Sequence, residues 1–313
     1  MFFKALRKKG ILGMNRRVGD YILTHNERKK YPLVDNKITT YELCKKHNVS
    51  QPDHYFHVTN IGQIKKIKKD LIQLKSFCIK PARGAMGNGI LVVNEVLGTE
   101  EEPEFDTSKG LMNIKKLSHF ISDILSGLYS LSGHPDQVII QEKIILHPVF
   151  DNYVYKGIPD IRFIVYKGYP VMAMLRCPTK KSQGRANLHQ GAVGCGINIA
   201  TGHITNCIYL NNSINTHPDT GKELKDLAIP YWEELLVQAS KCYEMTQMGY
   251  IGVDMVLDKN KGPQLLEINA RPGLSIQLAN STGLIPRLEL INQQKSNADL
   301  KSIIAFCQSH FNA

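Results

Sequence analysis

Three side chains in the last quarter of the sequence could together bind a hard cation. Glu267 and Asn269 lie two residues apart in the stretch 264–273, and Asp254 lies in a preceding apolar stretch, 250–257. Two carboxylates and an amide carbonyl supply the oxygen ligands that Mg²⁺ prefers, and the incomplete set leaves positions for water and nucleotide phosphates. The pattern therefore predicts a metal site associated with a nucleotide. The structural alternative is a strand-end aspartate, a salt-bridged glutamate and an asparagine that begins a turn.

Two antiparallel strands are needed to bring these ligands together. A period of two residues places Glu267 and Asn269 on one face of the second strand and turns Leu266 and Ile268 toward a core. Residues 259–262 are typical of the hairpin turn that would join the two strands. The three predicted ligands would then lie on adjacent strands.

Residues 83–89, Arg-Gly-Ala-Met-Gly-Asn-Gly, form a glycine loop between a short predicted strand, 77–81, and an apolar strand, 90–93. Glycines permit positive φ and close backbone approach, so the N–H groups of the loop could lie over phosphate oxygens. The spacing matches neither the dinucleotide fingerprint nor the Walker pattern, and a hairpin turn is the structural alternative. Lys80, at the end of the first strand, could neutralise phosphate charge as the loop closes. Together these features predict a lid over a nucleotide.

Hydrophobic spacing predicts the elements that surround these two stretches. Asp35 or Asn36 can cap a helix that has Lys37 in its first turn. The acidic stretch 100–109 is expected to be an exposed loop. Helices are expected over 35–47, 61–74, 113–131, 230–247 and 299–309, and further strands over 137–142, 160–166 and 169–176.

Three arginines that could bind an anionic substrate lie between the glycine loop and the predicted metal site. Arg162 and Arg176 fall on the two strands of a predicted hairpin, and Arg185 and Asn187 follow in a polar, glycine-containing loop over 179–194. No core requires these residue types, and loops often carry binding residues. The ordinary interpretation is a surface loop, but its composition makes it a candidate site.

Composition limits the class of protein. The 313 residues are 42% hydrophobic and 21% charged, which is typical of a globular chain with one large domain or two to three lobes. The formal net charge of +11 is spread along the chain, so nucleotide phosphates or acidic substrates account for it, and nucleic acid is not expected as a partner. The seven cysteines form no C-x-x-C pair, which favours a reducing compartment. The sequence shows no apolar run of membrane-spanning length and no secretory signal, so we expect a cytoplasmic protein without a membrane partner.

The order of these motifs resembles the ATP-grasp superfamily over about residues 35–290. The motifs are the strand ending at Lys80, the glycine loop, Gln141-Glu142, Asp160-x-Arg162, Arg185-x-Asn187, Gly252-x-Asp254 and Glu267-x-Asn269-x-x-Pro272-Gly273. The sequence is most similar to the ribosomal-protein S6 glutamate ligase family and its alpha-L-glutamate ligase-like relatives, through DNK at 35–37, QEKI at 141–144, DIR at 160–162 and RANLHQGA at 185–192. Residues 217–221 show a weaker similarity to the sugar-transfer-associated ATP-grasp proteins.

The resemblance implies an α+β ATP-grasp fold in which two lobes with antiparallel or mixed sheets clasp Mg·ATP. It implies an N-terminal extension over 1–34, an N-terminal lobe with a glycine-rich lid over 35–143, and a C-terminal lobe with the metal site over 144–313. The N-terminal region is shorter than the α/β domain that usually precedes such a core. We therefore expect the acceptor site to be built differently, or to be shared with a partner chain or a second copy in a homo-oligomer.

The resemblance also implies an ATP-dependent ligase that forms C–N bonds. A carboxylate acceptor is activated as an acylphosphate, which an amine such as an amino acid then attacks. Carried over by motif, the residues that contact ATP are Lys37, Lys80, Gly84, Gly87, Asn88, Gly89, Gln141, Glu142 and Lys143. The residues that bind one or two Mg²⁺ ions, or Mn²⁺, are Asp254, Glu267 and Asn269. The residues that stabilise the acylphosphate and orient the carboxylate are Arg162, Arg176, Arg185 and Asn187, since a guanidinium fork suits both groups.

Two other functions stay open. Some ATP-grasp proteins use the same hold on ATP to phosphorylate an alcohol, in which case no amide forms. The positive charge alternatively suggests a non-catalytic binding protein, although no basic stripe with interleaved aromatic residues is present in the sequence. The segment 195–222 looks inserted relative to the S6-modifying ligases, and glutamate as the added amino acid rests on the family name alone.

Overall fold

The computed structural model describes residues 8–84, 87–130, 133–294 and 298–312, so residues 85 and 86 of the predicted lid lie outside the described residues. The chain divides into two compact units. The seven-stranded unit comprises Met1–Asp35, Thr39–Gln51 and Leu146–Ala313. The six-stranded unit comprises Asn36–Ile38 and Pro52–Ile145.

Helices and strands alternate irregularly along the chain. The α-helices are α1 (Met14–Arg16), α2 (Pro32–Asp35), α3 (Lys37–His47), α4 (Ile61–Gln73), α5 (Ile114–Leu125), α6 (Trp232–Thr246), α7 (Ile276–Ala279), α8 (Ile285–Asn292) and α9 (Leu300–His310). A π-helix, Arg17–Leu23, continues α1, and 3₁₀ turns cover Arg28–Lys30, Pro148–Phe150 and Leu188–Gln190. The strands are β1 (His54–Val58), β2 (Phe77–Pro81), β3 (Leu91–Gly98), β4 (Pro103–Thr107), β5 (Gly110–Asn113), β6 (Val138–Gln141), β7 (Asp160–Tyr166), β8 (Tyr169–Cys177), β9 (Val193–Ile197), β10 (Ile204–Tyr209), β11 (Asn212–Ile214), β12 (Tyr250–Asp258) and β13 (Gly262–Asn269).

The six-stranded unit is an antiparallel sheet with two amphipathic helices packed on it. Its strand order is β1-β6-β2-β3-β4-β5. The apolar stripes of α4 and α5 bury Leu71 and Ile121 in a core with Phe77 and Phe105, whose rings meet edge to face at 6.3 Å. This core holds β2 and β6, the strands whose ends carry Lys80 and Gln141.

The seven-stranded unit is a second antiparallel sheet, with strand order β11-β10-β9-β8-β7-β12-β13. Helix α6 packs against β7, β8 and β12, where the Trp232 ring lies 5.5 Å from the Phe163 ring. Strands β8 and β12 are buried along their whole length, which explains their nearly continuous apolar sequences. The two sheets with their packed helices confirm the α+β class.

The N-terminal segment is part of the seven-stranded unit. Leu12, Tyr21 and Ile22 are buried in the core of that unit. The side chain of Gln277 fixes Leu12, because Leu12 N donates to Oε1 at 2.8 Å and Nε2 donates to Leu12 O at 3.1 Å. The fold of this unit therefore includes residues that precede the predicted ATP-grasp core.

Most predicted elements are present, and the type of one segment and the end of one helix differ from the prediction. Strand β4 occupies part of the acidic stretch expected to be an exposed loop, because Phe105 anchors it in the core. Helix α5 ends at Leu125 and does not reach residue 131. The reason is Gly127, whose φ of +89° is incompatible with a right-handed helix. Only glycine fits there, because a Cβ at this position would lie 2.3 Å from His134 O.

The predicted β12–β13 hairpin is confirmed, with one irregularity. Asp254 pairs with Glu267, whereas Met255 pairs with Leu265, so Leu266 lies in a bulge. Strict alternation predicts that Leu266 points into the core, and this prediction is wrong. Leu265 is buried instead. In the part of the chain that the structure describes, no helix is long and apolar enough to span a bilayer.

Candidate active site

Polar side chains line up across four neighbouring strands of the seven-stranded sheet. Residues two apart on a strand share a face, and the strand register sets them opposite one another. Asp160 pairs with Arg176, and Asp254 pairs with both Arg162 and Glu267. The row consists of Arg176 on β8, Asp160 and Arg162 on β7, Asp254 on β12, and Glu267 and Asn269 on β13.

Two arginine–aspartate pairs form the centre of this row. Arg162 donates to both carboxylate oxygens of Asp254, with Nε 2.6 Å from Oδ1. Arg176 donates to both oxygens of Asp160, with Nη2 2.5 Å from Oδ2. The same Nη2 lies 2.9 Å from Asp254 Oδ2. The four side chains form one hydrogen-bonded network, which we call the Arg–Asp network.

Burial and mutual attraction set the charges in the Arg–Asp network. Burial opposes the charge on Asp254, but the guanidinium groups of Arg162 and Arg176 outweigh it and hold the pKa of that carboxyl well below its usual range. Burial raises the pKa of Asp160 to about 7; Arg176 opposes this rise and the Asp254 carboxylate reinforces it. Burial also opposes the charge on Arg176, but Asp160 and Asp254 keep the pKa of its guanidinium above the usual value. Asp254 is therefore the more acidic of the two carboxyls.

The three predicted metal ligands lie together beside the Arg–Asp network. Asn269 Nδ2 is 3.3 Å from Asp254 Oδ2 and 3.4 Å from Glu267 Oε1. Asp254 is buried, whereas Glu267 and Asn269 are half-buried. The hairpin thus brings the three side chains into contact, as the sequence spacing predicts.

The donor chemistry of these residues fits Mg²⁺, with two conditions. Both oxygens of Asp254 accept hydrogen bonds from guanidinium N–H groups. The Glu267 carboxylate and the Asn269 amide oxygen are therefore the ligands best placed to bind a cation. The Asn269 amide would have to present Oδ1 where Nδ2 now lies, a rotation that exchanges two atoms of similar size. Among the described residues, no three His, Cys, Asp or Glu side chains cluster closely enough to hold a metal. A cation here would therefore depend on the amide and on water or phosphate oxygens.

The predicted substrate loop connects β8 to β9. Arg185 is exposed, and Asn187 accepts a hydrogen bond from His189 N at 3.0 Å, which caps the 3₁₀ turn Leu188–Gln190. Within the described residues, neither Arg185 nor Asn187 is hydrogen-bonded to the Arg–Asp network. The structure brings Arg162 and Arg176 together at Asp254 and places the other two predicted residues on the connection that follows.

Residues 217–221 support this loop. His217 is buried, and its Nε2 lies 3.1 Å from the carbonyl oxygen of Pro178 at the start of the loop. The Asp219 carboxylate accepts a hydrogen bond from Lys180 N at 2.7 Å. The segment 195–222, which the sequence comparison identifies as an insertion, therefore contributes β10 and β11 to the sheet and also braces the predicted substrate loop.

In the six-stranded unit, Lys37 contacts the glycine loop. The Asn36 side chain accepts from Ile38 N at 3.0 Å and caps α3, so Lys37 occupies the first turn as predicted. Lys37 Nζ donates to Gly84 O at 2.8 Å, and its backbone N–H donates to Ala82 O at 3.0 Å. Two groups predicted to contact phosphate therefore lie side by side.

Backbone geometry requires the glycines of this loop. Gly87 and Gly89 both have φ of +73°, and a Cβ on Gly84 would lie 2.2 Å from Pro81 Cγ. Asn88 between them is exposed. The loop thus holds backbone conformations that allow N–H groups to turn toward a bound anion.

Gln141 ends β6 with a buried acceptor that lacks a donor. Its side chain is 3% exposed, and Oε1 has no hydrogen-bond partner among the described residues. Lys80 is also buried, on the neighbouring strand β2. A buried unsatisfied acceptor costs about 1–3 kcal/mol. A ligand N–H, such as the amino group of adenine, would remove that cost.

The two residues after Gln141 are fixed by other contacts. Glu142 N donates to Asp53 O at 2.8 Å, and Asp53 N donates to the Glu142 carboxylate at 3.3 Å. Lys143 Nζ donates to Asn94 Oδ1 at 3.0 Å. Contacts with Asp53 and Asn94 therefore hold these two residues in place.

Asp160 is a site residue that the sequence analysis did not select, although its motif was noted. It lies two residues before Arg162 on the same strand face and directly opposite Arg176. The signal was available, because an aspartate two residues from an arginine in an apolar strand has few partners other than another arginine.

Solved structures with similar folds include three enzymes. ATP-grasp ligase PsnB, complexed with a phosphomimetic variant of its minimal precursor, Mg and ADP, is 12% identical, with TM-score 0.43 over 90% of this chain and 61% of PsnB. D-alanine–D-alanine ligase from Bacillus anthracis, complexed with ATP, is 14% identical, with TM-score 0.42 over 90% of this chain and 67% of that chain. D-cycloserine synthetase DcsG is 10% identical, with TM-score 0.44 over 88% and 71%. This chain thus spans about three fifths of the length of PsnB.

A family model provides the more specific result. No curated protein sequence matches the chain significantly. The model of the sugar-transfer associated ATP-grasp family matches residues 16–293. The resemblance to the S6 glutamate ligase family, ranked first by sequence, is therefore corrected in favour of the similarity shown by residues 217–221. The chain belongs to the sugar-transfer associated ATP-grasp family.

Proposed function

We propose that this protein is an ATP-dependent carboxylate–amine ligase that forms an amide through an acylphosphate. The observation that carries the proposal is the arrangement at Asp254, where two arginines and two potential metal ligands meet on one face of the sheet. Arginine forks stabilise planar carboxylates and phosphoryl groups, and hard oxygens attract Mg²⁺. Such a surface suits the transfer of a phosphoryl group to a carboxylate.

The proposed chemistry needs no protein nucleophile. A carboxylate oxygen of the acceptor attacks the γ-phosphorus of ATP, the bond to ADP breaks, and a mixed anhydride forms. An amine then attacks the acyl carbon, phosphate leaves with the former carboxylate oxygen, and the amine loses a proton. Phosphoryl transfer depends mainly on positioning and charge stabilisation.

Each residue of the Arg–Asp network would have a defined part. Arg162 and Arg176 would hold the carboxylate and the developing phosphate, and Asp254 with Asp160 would fix the orientation of the two forks. Glu267 and Asn269 would hold Mg²⁺, which when bound supplies charge neutralisation for the phosphates. Arg185 and Asn187, on the loop braced by residues 217–221, would contact the acceptor.

The six-stranded unit would bind the nucleotide. Lys37, Lys80 and the backbone of the glycine loop would contact phosphates. The orphan acceptor of Gln141 would receive the amino group of adenine, and Glu142 and Lys143 would frame the ribose. The buried Gln141 Oε1 is the observation that favours a nucleotide over other phosphate compounds.

A turnover assay tests the proposal. Mg·ATP is supplied with pooled amino acids, including glutamate, and with a panel of carboxylates that includes sugar acids because of the family to which the chain belongs. The ligase function predicts ADP and phosphate release with a product whose mass equals acceptor plus amine minus water. ADP release with a phosphorylated product would replace the ligase by a kinase.

A further inference from the structure

The edge strand of the six-stranded sheet carries two histidines whose rings are in contact. Strand β1 lies at one end of the strand order, beside β6. His54 Nδ1 and His57 Nε2 are 2.9 Å apart, and the two ring centroids are 5.1 Å apart with their planes at 80°. His54 is half-buried and His57 is exposed, so dissolved ions can reach the pair from solvent.

A β-bulge brings the two histidines to the same face of the sheet. In a regular strand, residues three apart point to opposite faces. Here His54 pairs with Gln141, and His57 pairs with Ile139. The register shift between these pairs makes Tyr55 the extra residue of a bulge. Because Gln141 and Ile139 are two apart on β6, their partners share a face.

The histidines lie on the face opposite the helix-covered core. Ile140 points into that core, so its neighbours Ile139 and Gln141 point to the other side of the sheet. Lys80 pairs with Ile139 from β2 and shares this other face. The two imidazoles therefore lie at the border of the surface that carries Lys80 and Gln141, two residues predicted to contact ATP.

Hydrogen bonds on both sides fix the backbone of β1. Before His54, the carbonyl oxygen of Asp53 accepts from Glu142 N at 2.8 Å. After the strand, Thr59 N donates to Oε1 of Gln63, a residue of the capping box of α4, at 2.7 Å. The two imidazoles therefore extend from a backbone whose position is set before any ligand binds.

The separation of the two ring nitrogens fits a chelated metal ion. Imidazole nitrogen binds divalent metals at about 2.0–2.1 Å, so two nitrogens at right angles around one ion lie about 2.9 Å apart, whereas a tetrahedral angle gives about 3.3 Å. The distance of 2.9 Å between His54 Nδ1 and His57 Nε2 matches the right-angle value. Square-planar and tetragonal coordination have this angle, and Ni²⁺ and Cu²⁺ adopt them.

The hydrogen bond between the two rings does not oppose metal binding strongly. A hydrogen bond at an exposed position adds little net free energy, because water competes for both groups. A neutral imidazole carries its proton on either ring nitrogen, so a change of tautomer makes both facing nitrogens available as ligands. No third His, Cys, Asp or Glu of the described chain lies close enough to form a group of three, which leaves the other coordination positions to water.

We propose that His54 and His57 form a chelating site for a divalent d-block cation, with Ni²⁺ and Cu²⁺ as the ions whose geometry it fits. Hard ions such as Mg²⁺ prefer oxygen ligands and would not bind there. The site therefore differs in chemistry from the Mg²⁺ site proposed at Glu267 and Asn269. Its existence does not rest on the ligase function.

Isothermal titration of Ni²⁺ into the untagged full chain, without ATP, tests the site. Wild type should bind one Ni²⁺ ion per chain in its tightest phase, and excess Mg²⁺ should not compete. His54→Gln and His57→Gln should each raise the Kd of that phase at least about tenfold, because each removes one of two ligands. His203→Gln is the matched control, since it removes an exposed imidazole outside the pair and should keep the wild-type Kd.

Two further measurements separate metal binding from folding. The electron paramagnetic resonance spectrum of bound Cu²⁺ should show coupling to two imidazole nitrogens in wild type and to one in each single variant. Without metal, His57→Gln should unfold at the wild-type temperature, because substitutions at exposed positions change stability little. An unchanged Kd in either single variant, displacement of Ni²⁺ by Mg²⁺, or no binding by wild type up to about 1 mM Ni²⁺ would overturn the proposal. Since ATP is absent, these results hold whether or not the ligase reaction is found.

Discussion

Arg162 and Asp254 are direct cross-strand partners in the register of β7 and β12, and both oxygens of the aspartate accept guanidinium N–H groups. Asp254 also lies 2.9 Å from Arg176, so one buried carboxylate orients two arginines. In this arrangement Asp254 acts on the arginines more directly than on a cation.

Replacing Glu267 should remove ATP turnover and leave the fold intact. The residue is half-buried and accepts a hydrogen bond from Asn269 Nδ2, so Glu267→Ala should change the unfolding free energy by no more than about 1 kcal/mol. Turnover should fall at least about a hundredfold, because a proposed ligand for the metal is lost. ADP release and thermal unfolding are measured on the same preparations. Retained turnover would remove Glu267 from the metal site.

The β12–β13 hairpin was predictable because its signals are local. Alternating apolar residues and a turn at 259–262 specify the two strands, and the spacing of Glu267 and Asn269 places them on one face. The bulge at Leu266 was not predictable, since it depends on which residue of the neighbouring strand pairs with which. Predicting the Arg–Asp network would also have required the order of strands β8, β7 and β12, which no local pattern specifies.

Removing one member of the Arg–Asp network should destabilise the protein strongly. In Arg176→Met, Asp160 keeps a buried carboxyl without its bidentate partner, and the loss should be about 3–5 kcal/mol. Urea unfolding at neutral pH measures this loss. The double variant Asp160→Leu/Arg176→Met should recover most of the stability, because both charges are gone.

Activity should not follow stability in this pair of variants. The double variant should remain without turnover, since the arginine proposed to hold the phosphoryl group is absent. A double variant with wild-type turnover would show that Arg176 is structural and has no part in the reaction.

Gly157→Ala should displace the predicted substrate loop. Gly157 has φ of +83°, and a Cβ there would lie 2.0 Å from Gly184 O, one residue before Arg185. Positive φ alone costs a non-glycine residue about 1 kcal/mol or more, and the clash adds to that cost. Gly110→Ala is the control, because Gly110 has φ of +93° and nothing within 4 Å of an added Cβ. KM for the carboxylate should rise in Gly157→Ala only, and an equal effect of both variants would contradict the role of the loop.

His217 should make the protein sensitive to acid. Burial lowers the pKa of His217, and both ring nitrogens are used in the neutral form, with Nδ1 accepting from Asp219 N at 3.3 Å and Nε2 donating to Pro178 O. As the pH falls below about 6.5, the unfolded state binds a proton that the folded state resists. The contribution of His217 is therefore complete above that pH and is lost as the pH falls through the lower folded-state pKa.

The pH dependence of thermal unfolding checks this effect. Between pH 7 and pH 5 the Tm of wild type should fall more than that of His217→Gln, which keeps one donor and one acceptor. The exposed His203 provides the control substitution, His203→Gln, which should follow wild type. If wild type and His217→Gln lose Tm in parallel, the acid sensitivity has another origin.

Some contacts of the candidate site could not be predicted, because they join residues that are far apart in the sequence. Lys37 and the glycine loop are far apart in sequence, and only a capped helix end brings Lys37 Nζ to Gly84 O. Asn26 was missed because a single buried asparagine in a polar stretch carries no periodic signal. Its structural part appears only when its side chain is seen to join Tyr250, the first residue of β12, to Ala270.

The most direct test of the central claim is the fate of one oxygen atom. The carboxylate acceptor found in the turnover screen is labelled with ¹⁸O and incubated with Mg·ATP, the amine and the protein, and the released phosphate is analysed by mass spectrometry. A carboxylate–amine ligase predicts one ¹⁸O atom in each phosphate released with the amide product. Unlabelled phosphate, or ADP release with the label retained in a phosphorylated acceptor, would contradict the acylphosphate mechanism.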